Sequence, residues 1–241
     1  MSSPTAPVVS LERRPAPVPV GGLTPLTTVD WPGMLSAVLF LRGCPWRCGY
    51  CHNADLQGGV GPTRAWPEVR GFLMARRGLL DAVVFSGGEP TLYAGLEQAL
   101  REVRAMGFAT GLHTGGPYPA RLAALLDAGL LDWVGFDVKA PRCDYDAVTG
   151  VLGSGDAAWR SLRGLVSSGV SCELRTTVTR AHHDRERLLA LARDVAFCGA
   201  GNLVLQPRRL QGRPEPGVLD LMDESVGLMR DILGTVGVRA S

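Results

Sequence analysis

Three of the chain's six cysteines fall within eight residues, in Cys44-Pro45-Trp46-Arg47-Cys48-Gly49-Tyr50-Cys51-His52-Asn53, directly after the apolar run 37–41. Three thiolates on one short loop punctuated by proline and glycine can point at a common centre, and soft sulfur ligands select zinc, copper(I) or iron–sulfur. On a [4Fe–4S] cube held by one cysteine per iron, the fourth iron stays open to a small molecule. Zinc is the rival, with His52 as fourth ligand, although adjacent ligands such as Cys51 and His52 strain a tetrahedral site. The other three cysteines, Cys143, Cys172 and Cys198, are scattered and read as small buried apolar residues.

A loop of this kind needs a scaffold. At 241 residues and 46% hydrophobic content the chain can bury a sizeable core. A formal net charge of +2 offers no basic stripe for nucleic acid. No apolar run reaches membrane-spanning length and no signal peptide is apparent, so no membrane partner and a cytoplasmic location are expected. Residues 1–20 carry five prolines without apolar periodicity and are expected to be a disordered lead, with one domain over 21–241.

Within 21–33, Pro32-Gly33 marks a turn after a short β-prone run, which reads as a hairpin or lead-in strand. Apolar strand patterns then alternate with helical ones six times, the signature of βα units on a parallel sheet. Strands are expected at 36–41, 82–85, 109–113, 133–138, 173–178 and 203–206, and helices near 65–77, 92–106, 118–128, 157–168, 184–197 and 219–233. Gly129 and Gly169 are placed to end two of these helices. Six such units predict an α/β fold, a partial (β/α)6 TIM-like barrel, in preference to a closed eight-stranded one.

In such a sheet the loops after the strands meet at one edge, where ligands bind. That edge would gather the cysteine loop, Ser86-Gly87-Gly88-Glu89-Pro90, Thr114-Gly115-Gly116, Asp137-Val138-Lys139, 179–182 and 207–209. Gly87-Gly88 allows close approach of backbone to a ligand or positive φ, and Glu89 offers a carboxylate to an amine, but a tight βα turn is the plainer account. Asp137 and Lys139, two apart, share a face as an ion pair or part of a site. His113 reads equally well as a satisfied core histidine.

Cys-x3-Cys-x2-Cys followed one βα unit later by Gly-Gly-Glu-Pro resembles the radical S-adenosylmethionine (SAM) superfamily. More narrowly, Thr28-Val29-Asp30-Trp31-Pro32-Gly33, Tyr50-Cys51-His52-Asn53 and Asp137-Val138-Lys139-Ala140-Pro141 resemble activating enzymes of glycyl radical enzymes. Glu173-Leu174-Arg175-Thr176-Thr177-Val178 and Leu205-Gln206-Pro207 are similar to the anaerobic ribonucleoside-triphosphate reductase activating branch.

The resemblance implies that Cys44, Cys48 and Cys51 hold a [4Fe–4S] cluster whose fourth iron chelates SAM. It implies one-electron cleavage of SAM to a 5′-deoxyadenosyl radical, which takes hydrogen from a glycine of a partner glycyl radical enzyme. An electron donor such as flavodoxin or ferredoxin is implied too. Gly87, Gly88, Glu89 and Pro90 would meet the methionyl amine and Tyr50 the adenine, with Thr114, Asp137, Lys139 and Gln206 as further SAM-pocket residues. In the pyruvate formate-lyase branch the position of His113 is acidic and helps hold a monovalent cation, and a histidine lies near the position of Arg209. Neither contact transfers to this chain. A radical SAM enzyme for a small molecule, a zinc-binding module and an electron carrier remain as alternatives.

Overall fold

The computed structural model describes residues 18–239. Most of the expected proline-rich lead lies outside them; of its last residues, Val18 is buried and Val20 begins the first strand. In chain order the strands are β1 (Val20–Thr27), β2 (Ser36–Leu41), β3 (Ala82–Gly87), β4 (Ala109–Thr114), β5 (Trp133–Asp137), β6 (Ser171–Val178), β7 (Asn202–Pro207), the short pair β8 (Arg209–Leu210) and β9 (Arg213–Pro214), and β10 (Thr235–Val238). The helices are α1 (Ala54–Gln57), α2 (Trp66–Met74), α3 (Leu96–Ala105), α4 (Pro119–Asp127), α5 (Tyr145–Thr149), α6 (Ser154–Ser168), α7 (Arg185–Phe197) and α8 (Val218–Leu233).

Eight strands form one sheet in the order β1-β2-β3-β4-β5-β6-β7-β10. All neighbours are parallel except β1, which runs antiparallel to β2. Among the described residues no pairing joins β1 to β10, so the sheet stays open and the barrel is partial. Gly21, Gly22 and Pro25 weaken β1 as a central strand and suit it to the edge it occupies. The six expected parallel strands are all present, and β10 adds a seventh beside β7. Four residues interrupted by Gly237 are too short for a hydrophobic pattern to declare.

The strands bury alternate residues on opposite sides. Leu39, Val83 and Phe85 join the large core beneath the helices, while Val38, Ala82, Val84 and Trp133 form a second, smaller cluster on the concave side with Trp31. Trp31 arrives there because the Asp30-Trp31-Pro32-Gly33 turn folds the chain inward, and its ring stacks on Trp133 at 5.4 Å and 15°. Glycine makes the room. A Cβ at Gly111 would come within 2.9 Å of the Trp31 ring, and one at Gly135 within 2.8 Å of Trp133 and 2.7 Å of His113. The result is a floor inside the barrel.

Two helices differ from expectation. The helix expected from 92 breaks into a 3-10 turn, Pro90–Leu92, and α3, because Tyr93 leaves helical geometry and donates its hydroxyl to the Arg42 carbonyl at 2.5 Å. Helix α6 starts at Ser154 and is preceded by the unforeseen α5. Gly129 and Gly169 do follow α4 and α6 in left-handed geometry. Cys143 corrects the expectation of three buried thiols: it lies exposed in the turn Arg142–Asp144, and Cys172 and Cys198 are only half-buried.

Candidate active site

At the C-terminal edge of the sheet a cavity of about 340 Å³ opens between the cysteine loop on one side and the inner faces of β5, β6 and β7 on the other. Cys44, Cys48 and Cys51 all line it. So do Tyr50, Gly87, Gly88, Glu89, Thr114, Asp137, Lys139 and Gln206, whereas Pro90 is buried behind the lining as the first residue of the 3-10 turn.

The cysteine loop is held mostly by main chain. Gly43 N–H and Cys44 N–H donate to the carbonyls of Leu56 and Gln57 at 2.7 and 3.1 Å, and Arg47 N–H donates to Thr149 of α5 at 2.8 Å. The loop turns at Cys51, whose N–H reaches the Cys48 carbonyl at 3.2 Å. Burial pushes the Cys44 thiol up to about 11 and raises that of Cys48 as well. No group of three His, Cys, Asp or Glu side chains among the described residues gathers tightly enough for a single metal ion. The three sulfurs instead share the wall of a larger cavity.

Against this loop lies the Gly-Gly-Glu-Pro turn, and its glycines are needed for contact with the chain's own backbone. Gly88 N–H donates to Leu41 and Glu89 N–H to Gly43, both at 2.8 Å. A Cβ at Gly88 would sit 2.2 Å from the Gly43 carbonyl oxygen, and one at Gly87, whose φ is +109°, would sit 2.3 Å from the Leu41 nitrogen. The tight turn is therefore what the structure shows, with the positive φ at Gly87, and the close approach is to the chain's own backbone.

Glu89 is almost wholly buried and accepts from Thr91 N–H at 3.0 Å, the Thr91 hydroxyl at 2.5 Å, the Thr114 hydroxyl at 2.8 and 3.0 Å and Gly115 N–H at 3.1 Å. Burial raises its carboxyl above the usual range, and these donors oppose the shift. Thr114 thus buttresses Glu89, whose carboxylate stands in the cavity lining.

The opposite wall is built from side-chain charges. Arg175 approaches Asp137 Oδ1 through Nε at 3.1 Å and Nη2 at 3.0 Å, and Lys139 Nζ lies 3.8 Å from Oδ2. Protein surrounds Asp137, yet 36% of its side chain is accessible through the cavity. Burial alone would raise its carboxyl, but the Arg175 and Lys139 cations outweigh burial and hold it below the usual carboxylate range. Asp137 ends β5 while Lys139 stands beyond it, in a loop pinned by the Tyr145 hydroxyl, which accepts from Lys139 N–H at 3.1 Å. His113 is satisfied: Nε2 lies 2.9 Å from the Asp30 carbonyl and Nδ1 3.2 Å from the Ser86 hydroxyl. Burial, aided by Arg175 with its Nη1 3.2 Å away, holds its ring down to about 3.

Arg175, Thr177, Ser86 and Arg239 line the cavity too; the sequence places Ser86 at this edge and quotes Arg175 and Thr177 within a family-like segment, but gives none of the four a site role. Arg239 arrives with the unforeseen β10 and is clamped by Glu173 at 3.0 Å to both oxygens. Gln206 donates to the Thr177 hydroxyl at 2.9 Å. Arg209 lies in the β8–β9 hairpin, outside the lining.

One polar atom suggests an occupant. The Tyr50 hydroxyl is buried in the cavity wall without a hydrogen-bond partner among the described residues, while its ring stands 6.1 Å from His182 and 6.0 Å from Lys139 Nζ. Three soft sulfurs, an unpaired buried hydroxyl and a carboxylate in the lining fit a sulfur-ligated cluster carrying a polar small molecule.

This is the architecture of the radical SAM superfamily, whose family model matches residues 38–192, and the chain belongs to it. It is a radical SAM enzyme, with the [4Fe–4S] cluster and SAM of that superfamily as its cofactors. Among relatives, a protein of Methanocaldococcus jannaschii provisionally named a glycyl-radical enzyme activating enzyme is 30% identical over 188 residues, 74% of this chain and 76% of that one. The pyruvate formate-lyase-activating enzyme of Staphylococcus epidermidis is 38% identical over 94 residues, 36% of this chain and 37% of its own. Among solved structures, Streptococcus suis SuiB bound to its precursor peptide SuiA superposes with a TM-score of 0.66 at 14% identity, covering 84% of this chain. This chain spans about half of SuiB, 48%. A domain of a pyruvate-formate lyase-activating enzyme from Bacteroides vulgatus gives 0.55 at 14% identity, covering 66% of this chain and 99% of that domain.

Proposed function

We propose that this chain is an activating enzyme that installs a glycyl radical on a partner enzyme, an anaerobic ribonucleoside-triphosphate reductase. The observation that supports activation of a glycyl radical enzyme is the similarity to the M. jannaschii protein named for it, which covers about three quarters of both chains; the choice of the reductase rests on the resemblance of 173–178 and 205–207 to that branch. When bound, the cluster and SAM supply one-electron cleavage of a sulfonium to a carbon radical able to abstract hydrogen.

The chain's residues bind and orient. Cys44, Cys48 and Cys51 would hold the cluster, the Glu89 carboxylate would meet the methionyl amine, and Tyr50 would meet the adenosyl end. Gly87, Gly88 and Pro90 act indirectly, by fixing where Glu89 stands. Thr114 orients Glu89, while Asp137, Lys139 and Gln206 complete the polar wall. The stacked Trp31 and Trp133 exclude water from below, as a radical reaction requires. Reducing equivalents would come from a flavodoxin or ferredoxin in the cytoplasm.

The test is to mix the protein anaerobically with the reductase, a reductant and SAM, and to record electron paramagnetic resonance. A glycyl radical on the reductase is expected. Its absence, with robust 5′-deoxyadenosine release driven by a small metabolite instead, would move the chain to small-molecule chemistry. Glu89→Gln tests the amine contact: SAM affinity should fall by about 1.5–3 kcal/mol, the worth of a charge-assisted hydrogen bond. Unchanged affinity in equilibrium dialysis removes Glu89 from that role.

A further inference from the structure

The chain contains one lysine; its other twenty-four basic side chains are all arginine. That lysine, Lys139, stands in the cavity wall with 16% of its side chain accessible. Its Nζ lies 5.9 Å from the ring centroid of Trp46 and 6.0 Å from that of Tyr50. These residues are two before and two after Cys48, so the ammonium stands beside the middle of the cysteine loop. Among the described residues its one ion pair is Asp137 Oδ2 at 3.8 Å, beyond hydrogen-bond length, and the other oxygen of that carboxylate already engages Arg175. The Asp137–Arg175 pair is neutral as a unit, which leaves the charge of Lys139 directed at the loop.

Geometry also favours lysine here. A guanidinium is a planar fork that wants a carboxylate edge, and Arg175 takes that place. An ammonium is a compact charge with three rotatable donors and can sit over two rings while facing sulfur.

We infer that Lys139 is an electrostatic tuning residue: its fixed ammonium raises the reduction potential of a cluster held by Cys44, Cys48 and Cys51. This rests on the cluster-and-SAM reading of the cavity. One electron entering from a low-potential one-electron donor adds one negative charge at the loop, and a nearby cation in a water-poor cavity favours the added charge. Net charge and hydrogen bonds to the sulfurs are among the factors that set such potentials.

The experiment uses the reconstituted enzyme without SAM. Redox titration followed by electron paramagnetic resonance should give a more negative midpoint for Lys139→Met than for wild type, with Lys139→Arg restoring most of the difference. A purely structural role would not be rescued by charge in this way. Because there is a single lysine, wild-type enzyme made with ε-15N-lysine carries one labelled side-chain nitrogen, and electron–nuclear double resonance on the reduced cluster should detect its coupling. That measurement stands even if Lys139→Met fails to load iron. Equal midpoints, or no 15N coupling, overturn the proposal while leaving the cluster reading intact. Failure of wild type to assemble any cluster would sink both.

Discussion

The two walls of the cavity are built by different physics. On the cysteine side, main chain meets main chain: Gly88 and Glu89 donate to Leu41 and Gly43, and a single Cβ would collide with a carbonyl 2.2 Å away. On the far side, side chains meet across strands, Asp137 with Arg175 and Glu173 with Arg239. The first wall fixes positions through contacts that tolerate no added atom. The second sets a field that individual substitutions can retune. An enzyme that must hold a cluster rigidly while accommodating a substrate needs both.

The sharpest contrast comes from the cysteines. Replacing Cys44, Cys48 or Cys51 by Ala should each abolish the cluster, read as loss of the roughly four irons per chain of a single cube and of its brown absorption. Retention of a full cube in any one variant would break the assignment of that wall. Gly88→Ala comes next. Overpacking typically costs about 1–3 kcal/mol, and here the obstacle is backbone that cannot rotate away, so a loss at the upper end is expected in denaturant unfolding. A neutral substitution would mean that the turn is looser than its contacts indicate.

The charged wall should show itself through pH. His113 is held down to about 3 against an ordinary value of 6.5. At pH 7 its neutral ring fits both folded and unfolded chains, but below 6.5 the unfolded chain takes up a proton that the folded one refuses. Stability should therefore fall as pH drops from about 6.5 toward 3. Between pH 7 and 5.5 the wild type should lose about 1 kcal/mol more than His113→Gln. His183, held down to about 4 by burial, is common to both and cancels. Equal pH dependence would show that the ring is not kept neutral by its surroundings. The smallest effect belongs to Cys143→Ser, on neither wall: within about 0.5 kcal/mol and with iron content unchanged. Loss of iron there would mean that thiol chemistry is not confined to the loop.

The same contrast explains what could be read from sequence. The cysteine loop and the Gly-Gly-Glu-Pro turn are local, so their spacing alone was informative, and the expected strands fall within a residue or two of β2 to β7. Arg175 and Thr177 carry no site role in the sequence reading because an inward position depends on register across neighbouring strands, which one sequence does not display. Arg239 was missed with its strand. Tyr93 looked like a helical residue, since nothing local shows that its hydroxyl is needed 51 positions earlier at Arg42.

The floor beneath the cavity has an optical consequence. Trp31 and Trp133 are 5.4 Å apart and nearly parallel, close enough for their excited states to couple. Their near-ultraviolet circular dichroism should therefore contain an exciton signal that belongs to the pair alone and vanishes in Trp31→Phe. Because Trp133 also meets His113 edge-on at 5.6 Å, the pair reports on the charged wall above it. The enzyme carries its own spectroscopic gauge of whether the barrel interior is assembled, legible even when no iron absorbs.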